Sequence, residues 1–373
     1  MFLDRHYLRV VFRINLHIDD IDVLYRIKDF LGVGTVRSNK NSCVYSIGNI
    51  NDLLTVLFPL LDQCPLYTTK WLDYQDFKLV VNFLSAASTT RLSENQLVWA
   101  KTIMQGMNSN RTHYDYSLIP QLKVLDPFWL LGFIEAEATF GFKGLVPYFQ
   151  IGQHTRSLMV LNAIAAFLQS LPKGFRFTLN SLPPVVSSSL NKTTSVSVIT
   201  VNSIDALYDY FMFFLLDMPF QTRKSVDFLY WCLVLHFHKF GHFYLPEGRA
   251  LVNQIAQYAN AGRYSNNPNK VNAPDLSNIL NVLRLTLPVV LSPTMSHLHL
   301  AQAFSSLVKV RNVWVYENGR LLNSQPFTSF AAAQEAIGIP RTSVAIRRNI
   351  DTGKPFLNRY TFYSYLNSPF HSF

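Results

Sequence analysis

Acidic residues, cysteines and long apolar runs are all scarce in this sequence. The 373 residues include 23 Asp and Glu against 33 Lys and Arg, so the net charge is +10 although only 15% of residues are charged. The three cysteines are far apart and form no CxxC pair, which excludes a disulfide framework and a thiolate zinc site and fits a reducing compartment. The most apolar stretch, 211–216, is far too short to cross a bilayer, so no membrane partner is expected.

What the sequence does contain is a large apolar fraction. Hydrophobic residues make up 49% of the chain and aromatic residues 14%, which predicts a folded protein with two or three domains of ordinary size. Among the polyanionic partners that suit a basic globular protein, nucleic acid ranks first and an anionic membrane surface second, so nucleic acid is the expected partner. The alternative is that the basic charge serves only solubility.

The chain also repeats itself. The stretch FRINLHIDDIDVLYRIKDFL, from Phe12, shares eight residues with FQIGQHTRSLMVLNAIAAFL, from Phe149, at a constant separation of 137 positions. Further on, PLYTTKWLDYQDF and PFQTRKSVDFLYW share Pro, Thr, Lys and Asp at a separation of 154, and the loop SLPPVVSSSLNK accounts for the extra residues. Matches in the same order predict a duplicated module.

Each module is predicted to be a mixture of strands and helices. RVVFRINLH and YFQIGQH alternate at period two, as half-buried strands do, and DDIDVLYRIKDFLG is an amphipathic helix that ends at Gly32. GTVRSNKNSCVYSIG is typical of a hairpin with its turn at residues 39–41. The expected order is a strand, a helix, two strands and further helices, with one face of the sheet covered.

The pattern changes near Arg263. The stretch RYSNNPNKVNAPDLSN is rich in Asn, Ser and Pro and indicates a linker. Beyond it, FTSFAAAQEAIGIPRTSVAIRRNI predicts a short helix capped at Thr328 or Ser329, a turn, and a second helix capped near Thr342. This spacing is that of a helix-turn-helix, and a plain helical hairpin is the alternative.

The stretch WLLGFIEAEATF, residues 129–140, predicts an unusual helix. Asp126 and Pro127 are favourable residues for a helix start, and Gly132 and Ala136 lie four apart on one face, where another helix could approach closely. Glu135 and Glu137 then fall at the C-terminal end, which already carries partial negative charge. A divalent metal bound there would offset the negative charge of the two carboxylates. The alternative is a solvated helix end with two glutamates.

LLGFIEAEATF resembles the LAGLIDADG motif of homing endonucleases, and the strand ending FQIGQH and the pattern P-x-x-T-x-K-x-x-D match the family as well. The resemblance covers about residues 7–260. It implies an α+β fold of two αββαββα modules, 1–122 and 123–262, related by a pseudo-twofold axis. An irregular linker, 263–310, would follow, and then a helix-turn-helix DNA-binding unit, 311–366, which resembles the units often appended to intron-encoded nucleases.

The resemblance implies a sequence-specific double-stranded DNA homing endonuclease with Mg²⁺-dependent phosphodiester hydrolysis at a long site. Glu137 matches the acid that binds the metal, and Glu135 matches the acid that is usually structural. Gln153 matches a residue that orients the attacking water, and Lys224 and Lys70 match basic residues that stabilise charge near the phosphate. A pseudo-dimer of this kind is expected to act as a monomer. Because family members are commonly encoded in fungal organelles, the resemblance also implies a mitochondrial location.

Basic and polar residues on the predicted strands, and arginines of the C-terminal unit, are the expected nucleic-acid contacts. For each of them a solvated surface charge is the alternative. The set is Arg13, Arg37, Lys40, Lys143, Gln150, Arg176, Arg341, Arg347 and Arg348.

The sequence departs from the family pattern in three places. Ala138 replaces the glycine that usually follows the acid, and Leu16 stands at the repeat position of Gln153. Moving Glu137 back by 137 positions leads to a point before Met1, so the first motif is expected to be missing, with Asp4 as a doubtful substitute. These departures keep open the alternatives of a group I intron RNA-binding maturase and a catalytically degenerate nucleic-acid-binding descendant.

Overall fold

The computed structural model describes residues 2–4, 7–87, 92–122, 124–173, 185–191, 195–292, 295–307, 312–364 and 366. The chain divides into two compact units, residues 1–297 and 298–373. The first unit contains both repeats. No helix of the described residues is both long and apolar enough to cross a lipid bilayer.

The first module is built on a small antiparallel sheet. Its elements are β1 (Phe2–Asp4), β2 (Tyr7–Arg9), β3 (Phe12–His17), α1 (Ile21–Leu31), β4 (Thr35–Ser38), β5 (Ser42–Ile47), α2 (Ile50–Asp52), a π-helical turn (Leu53–Leu57), α3 (Phe58–Gln63), α4 (Lys70–Ala86) and α5 (Glu94–Gln105). The sheet order is β3-β5-β4, and β1 and β2 form a separate hairpin. The predicted strand 9–17 is therefore shorter than expected, since β3 begins at Phe12.

Local sequence signals set the ends of these elements. Gly32 adopts a left-handed conformation, with φ of 70°, and ends α1 as predicted. The side chain of Asn39 accepts hydrogen bonds from the backbone nitrogens of Asn41 and Ser42, which closes the hairpin between β4 and β5. The prediction of a turn at residues 39–41 is confirmed.

The elements of the second module are α6 (Pro127–Glu137), β6 (Ala138–Lys143), β7 (Val146–His154), α7 (Leu158–Gln169), β8 (Ser187–Asn191), β9 (Val196–Val201), α8 (Ile204–Ala206), a π-helical turn (Leu207–Phe211), α9 (Met212–Leu216), α10 (Lys224–Lys239) and α11 (Pro246–Tyr258). Its four strands form an antiparallel sheet in the order β6-β7-β9-β8. From β7 onward the second module repeats the order that the first module has from β3 onward, and α6 and the strand β6 precede this repeated part.

The sequence repeat is reproduced element by element. The helix α7 begins 137 positions after α1, and α8 and α10 each begin 154 positions after α2 and α4. Both π-helical turns follow the same spacing. The prediction of a duplicated α+β module is confirmed, and Lys70 and Lys224 are the first residues of matching helices.

Each sheet has one buried and one open face. In β5 the residues Cys43, Tyr45 and Ile47 are buried against the helices, whereas the alternate residues are only partly buried. In β9 the same alternation buries Ile199 and Val201. Because successive side chains of a strand point to opposite faces, each module presents a more polar sheet surface on the side away from its helices.

The segment 263–310, predicted to be irregular, contains two helices. These are α12 (Leu276–Leu283) and α13 (His297–Leu307). Asp275 caps α12 by accepting a hydrogen bond from the nitrogen of Ser277, and Val282 packs with Val252 of α11. The linker interpretation is therefore corrected: the Asn- and Pro-rich composition concealed an amphipathic helix whose apolar face completes a small core.

The second unit contains a three-stranded antiparallel sheet with two short helices. Its elements in this part are β10 (Trp314–Glu317), β11 (Arg320–Leu321), α14 (Phe330–Ala336), α15 (Ala345–Asn349) and β12 (Tyr360–Tyr363), with strand order β11-β10-β12. Ser329 caps α14, as one of the two predicted caps, and Ser343 rather than Thr342 accepts a hydrogen bond from Ala345. The sequence predicted the two helices but not the sheet beneath them.

Candidate active site

The helix α6 is shaped by the residues that begin and end it. The side chain of Asp126 accepts a hydrogen bond from the nitrogen of Trp129 at 2.8 Å, so the predicted cap is confirmed. Leu130 and Ile134 are fully buried on the face toward the core of the second module. The helix ends at Glu137 because Ala138 is extended and starts β6.

Glu135 is bound by the loop that precedes α10. One of its carboxylate oxygens accepts hydrogen bonds from the nitrogens of Gln221, at 2.8 Å, and Thr222, at 2.6 Å, and from the Thr222 hydroxyl at 2.8 Å. Hydrogen bonds to a charged acceptor are strong. Glu135 therefore fixes the end of α6 to the start of α10, which is the structural use expected for the first acid.

Glu137 is placed differently from Glu135. Its side chain is exposed and makes no hydrogen bond or ion pair with any described residue. No cluster of three or more His, Cys, Asp or Glu occurs in the part of the chain that the structure describes. Glu137 thus presents a carboxylate at the negative end of a rigid helix, where a cation would be stabilised.

The two lysines of the repeat differ in their contacts. The Nζ atom of Lys224 donates a hydrogen bond to the carbonyl of Ala138, so its charge lies at the junction of α6 and β6, beside Glu137 in the chain. Lys70 is more exposed, and its Nζ atom lies 3.5 Å from Asp73 and 3.3 Å from the side-chain oxygen of Asn108. Lys224 is therefore the lysine that the fold holds at the end of the motif helix.

Gln153 lies on β7 near the same junction. In the register of β6 and β7, Ile151 pairs with Ala138, and Gln153 is two residues further along the strand. It shares the side of the sheet that buries Phe149 and Ile151 and is itself partly buried. Gln153 is thus on the helix side of the sheet and outside the open face.

A cavity of about 760 Å³ lies between α6 and the first module. Glu137 and Lys70 both line it, together with Gly132 and Ala136 of the small-residue face. No described residue packs closely against Gly132, because a Cβ atom added there would meet nothing within 4 Å. The face where a helix could approach closely is therefore open in the part of the chain that the structure describes.

The predicted nucleic-acid contacts divide among several surfaces. Arg13 and Arg37 are exposed on the open face of the first sheet, where their strand partners are Ser46 and Val44, and Lys40 is exposed in the neighbouring turn. In the second module Lys143 is exposed at the end of β6, and Gln150 donates a hydrogen bond to the hydroxyl of Thr200 at 3.2 Å.

Lys143 and Gln150 line the same shallow depression of about 570 Å³ on the open face of the second sheet. In the second unit Arg347 and Arg348 are exposed on α15, and the Nε atom of Arg341 lies 3.5 Å from Glu335. Arg176 lies outside the described residues. Each of the two sheets therefore offers basic or polar side chains on its open face.

Sequence reasoning missed the residues that join the two modules. The Asp19 carboxylate pairs with the Arg223 guanidinium and accepts hydrogen bonds from the nitrogen and hydroxyl of Ser265. Asp20 accepts a hydrogen bond from the nitrogen of Arg223 at 2.8 Å. Burial alone would raise the pKa of Asp19, but the Ser265 hydrogen bonds and the Arg223 charge outweigh it and lower that pKa. The only signal was the pair of acids before α1, which a helix cap explains equally well.

Comparisons with known proteins identify a matching family and several similar proteins. Residues 4–81 match the family described as LAGLIDADG endonuclease. The chain is similar to the "Uncharacterized mitochondrial protein RF1" of Saccharomyces cerevisiae, with 24% identity over 96% of this chain and 76% of that protein. It is also similar to the "Probable intron-encoded endonuclease Cox1-I1b" of Schizosaccharomyces pombe, with 27% identity over 60% of this chain and 55% of that protein.

The fold matches a solved structure over about two thirds of the chain. The crystal structure of meganuclease I-SmaMI bound to uncleaveable DNA superposes with a TM-score of 0.55 and 20% identity, covering 68% of this chain and 88% of that one. The duplicated α+β architecture, the motif helix that ends in Glu137, and these similarities agree. The first module thus matches the LAGLIDADG endonuclease family by sequence, and the fold of the chain is similar to that of a meganuclease.

Proposed function

We propose that this protein is a sequence-specific endonuclease that hydrolyses phosphodiester bonds of double-stranded DNA at a long site, with Mg²⁺ at Glu137 and intron homing as its biological role. The observation that carries the proposal is the contrast between Glu135 and Glu137. Glu135 is fully engaged in holding α6, whereas Glu137 has no partner among the described residues and faces an open site. Such a carboxylate is suited to ligand binding rather than to packing.

The residues present fit a magnesium ion whose remaining ligands are phosphate oxygens of the substrate and water. Mg²⁺ is usually held by one or two carboxylates together with phosphate oxygens and water. Glu137 would supply the carboxylate, and the described chain offers no further acid beside it in a metal-binding cluster. When bound, such an ion activates water and offsets the negative charge of the leaving oxygen.

The side chains around Glu137 have separate tasks. Lys224 places a positive charge at the α6–β6 junction, where it would stabilise the negative charge that develops on the phosphate in the transition state. Gln153, near the same junction, would orient the attacking water through its amide. Lys70 would add positive charge from the first module, because it lines the same cavity as Glu137.

The two open sheet faces are the surfaces proposed to bind DNA. Arg13 and Arg37 on one sheet and Lys143 and Gln150 on the other would contact phosphates and base edges. The net charge of +10 favours a polyanion over a neutral partner. The similarity to a mitochondrial protein supports a mitochondrial location for this activity.

Cleavage of DNA that spans the insertion site of the protein's own gene tests the proposal. The full chain is incubated with this duplex in Mg²⁺ or in a chelator, and products are resolved on a denaturing gel. Metal-dependent cutting at one position is the expected result. Equal cutting by the Glu137→Gln variant, or none at any Mg²⁺ concentration despite tight DNA binding, would contradict the proposal.

A second candidate is an RNA-binding maturase for a group I intron or a nucleic-acid-binding descendant that does not cleave. The observation that favours it is that Leu16 stands in the first module at the repeat position of Gln153, so only the second module supplies this polar residue. Competition between the intron RNA and the insertion-site duplex for the same protein separates the two candidates. Tighter binding to the RNA, without cleavage of the DNA, would favour the maturase.

A further inference from the structure

The loop between α9 and α10 brings Lys224 to the end of α6. This loop comprises residues 217–223, and Lys224 is the first residue of α10. From there its Nζ atom donates a hydrogen bond to the carbonyl of Ala138, at the junction of α6 and β6. The path of the loop therefore sets where the positive charge of Lys224 lies.

The first module binds the same loop from the side of α1. Arg26 donates a hydrogen bond to the carbonyl of Gln221, and the carboxylate of Asp20 accepts one from the nitrogen of Arg223 at 2.8 Å. Both bonds involve backbone atoms of the loop, so they fix the path of the chain whatever side chains the loop carries. With Glu135 of its own module, the loop is thus held by two separate elements.

Asp20 stands where an aspartate usually caps its own helix. It directly precedes α1, and its side chain at that position normally accepts a hydrogen bond from the first turn of the helix that follows. Its side chain makes no such bond in α1. The carboxylate lies instead at the start of α10, where the nitrogen of Arg223 has no acceptor within its own helix and a negative charge is favourable. Asp20 is therefore a cap that the first module supplies to a helix of the second.

The repeat shows that this device has no equivalent built from the same positions on the other side. The residue 137 positions after Asp20 is Ser157, and the residue 137 positions after Asp19 is Arg156. Neither can supply a carboxylate to the loop before α4. In keeping with this, 62% of the Lys70 side chain is exposed, whereas Lys224 is partly buried.

We propose that Asp20 is a positioning residue for Lys224, with Arg26 in support, so that the first module sets the charge beside the phosphate that the second module cleaves. The inference rests on the proposed function for the task of Lys224. A displacement of about 1 Å in a group that acts on the transition state can lower a rate about hundredfold. Because Asp20 acts through the backbone of Arg223, its loss should lower the rate of cleavage and leave DNA binding unchanged.

Single-turnover cleavage of the insertion-site duplex by the full chain, at saturating protein and Mg²⁺, measures this effect. Asp20→Ala should lower the rate at least about tenfold and change the Kd for DNA by less than about twofold. Asp20→Asn should restore most of the rate, because its amide oxygen also accepts the hydrogen bond from Arg223. The control Asp29→Ala removes an exposed acid of the same helix and should change neither quantity. An unchanged rate in Asp20→Ala, or a loss of rate that weaker DNA binding explains in full, would overturn the proposal.

A second measurement needs neither DNA nor metal. In protein labelled with ¹³C at the Cε atoms of lysine, the signals of Lys224 and Lys70 are assigned by their loss in Lys224→Arg and Lys70→Arg. Asp20→Ala should shift or broaden the Lys224 signal and leave the Lys70 signal in place. An unchanged Lys224 signal would overturn the proposal whether or not the chain cuts DNA. A shifted signal in a natural chain that cuts no DNA would support the positioning and contradict the proposed function alone.

Circular dichroism shows whether each variant is folded at the assay temperature. If Asp20→Ala does not fold, Arg26→Ala takes its place, because the Arg26 side chain is exposed and its removal leaves the cap of α10 intact. Arg26→Ala should shift the Lys224 signal in the same direction and lower the cleavage rate by a smaller factor. A Lys224 signal that stays in place in this variant would then overturn the proposal.

Discussion

The carboxylate of Glu135 lies 2.6 Å from the backbone nitrogen of Thr222 and 2.8 Å from its hydroxyl. These residues are 87 positions apart, and their contact joins the end of α6 to the start of α10. Glu137, two residues later, has no such contact among the described residues. Two neighbouring glutamates of one helix thus have opposite physical roles, and their substitutions should have opposite effects.

Glu135→Ala should lower the free energy of unfolding by about 2–4 kcal/mol, because three donors lose a charged acceptor. Glu137→Gln should leave it unchanged or slightly higher, since that change removes a negative charge from a helix C-terminus. Urea unfolding of the two variants measures both effects. Equal losses in the two variants would show that the partition of roles is wrong.

The salt dependence of DNA binding should show whether the open sheet faces contact DNA phosphates. Arg37→Ala and Lys143→Ala should each reduce the slope of log affinity against log salt by about one, if each side chain contacts one phosphate. Lys78→Ala is a matched control, because its charge is already paired with Asp62. Unchanged slopes in the first two variants would remove these faces from the binding surface.

Acid should destabilise the protein through histidines near the end of α10. Burial lowers the pKa of His236 and of His238 to about 4 in each case. In the unfolded chain both titrate near 6.5, so their stabilising contribution is complete above pH 6.5 and is lost as the pH falls from 6.5 toward 4. Between pH 7 and pH 5 the loss should approach about 4 kcal/mol as an upper bound for the pair.

Urea midpoints at pH 7 and pH 5 measure this loss. The double variant His236→Gln, His238→Gln should show a smaller change between the two pH values than the natural chain. The control His113→Gln removes an exposed histidine and should keep the full change. A double variant with the same pH dependence as the natural protein would assign the acid sensitivity to other groups.

The C-terminal arginines should extend the contact with DNA. Arg347→Ala and Arg348→Ala together remove two exposed charges of α15 and leave the buried Ile346 in place. The footprint protected from nuclease digestion should become shorter at one end, with the central part unchanged. A footprint of natural length would leave this unit with a structural role only.

The sequence predicted most of the scaffold and one side of the site. Phe12 with Phe149 and Lys70 with Lys224 were matched by spacing alone, because a repeat fixes which residues share an element. The sheet under α14 and the helix α12 were not, since short strands and composition-biased helices carry weak periodic signals.

The cavity beside Gly132 could not be predicted either. Small residues four apart show that a helix can approach, but whether one does depends on contacts that are distant in the sequence. The same limit applies to contacts between distant parts of the chain. Asp19 and Ser265 are 246 positions apart, and nothing in their local sequence connects them.

Asp19 and Arg223 give the last prediction. Asp19 has two kinds of partner, the Arg223 guanidinium and the nitrogen and hydroxyl of Ser265, whereas Arg223 keeps its backbone bond to Asp20 when its side chain is removed. Asp19→Ala should therefore destabilise the protein more than Arg223→Ala. The double variant should cost less than the sum, with a coupling of about 1 kcal/mol or more, because the pair is largely shielded from solvent on the Asp19 side.

Thermal and urea unfolding of the natural chain, both single variants and the double variant give the four stabilities needed for a double-mutant cycle. Ser265→Ala separates the second contribution, since it removes the hydroxyl bond and retains the backbone bond. Strict additivity of Asp19→Ala and Arg223→Ala would mean that the ion pair does not hold the modules together. The contacts of Glu135 and Asp20 would then contribute more than the ion pair to holding the start of α10, and Glu135→Ala should be the most damaging of these substitutions.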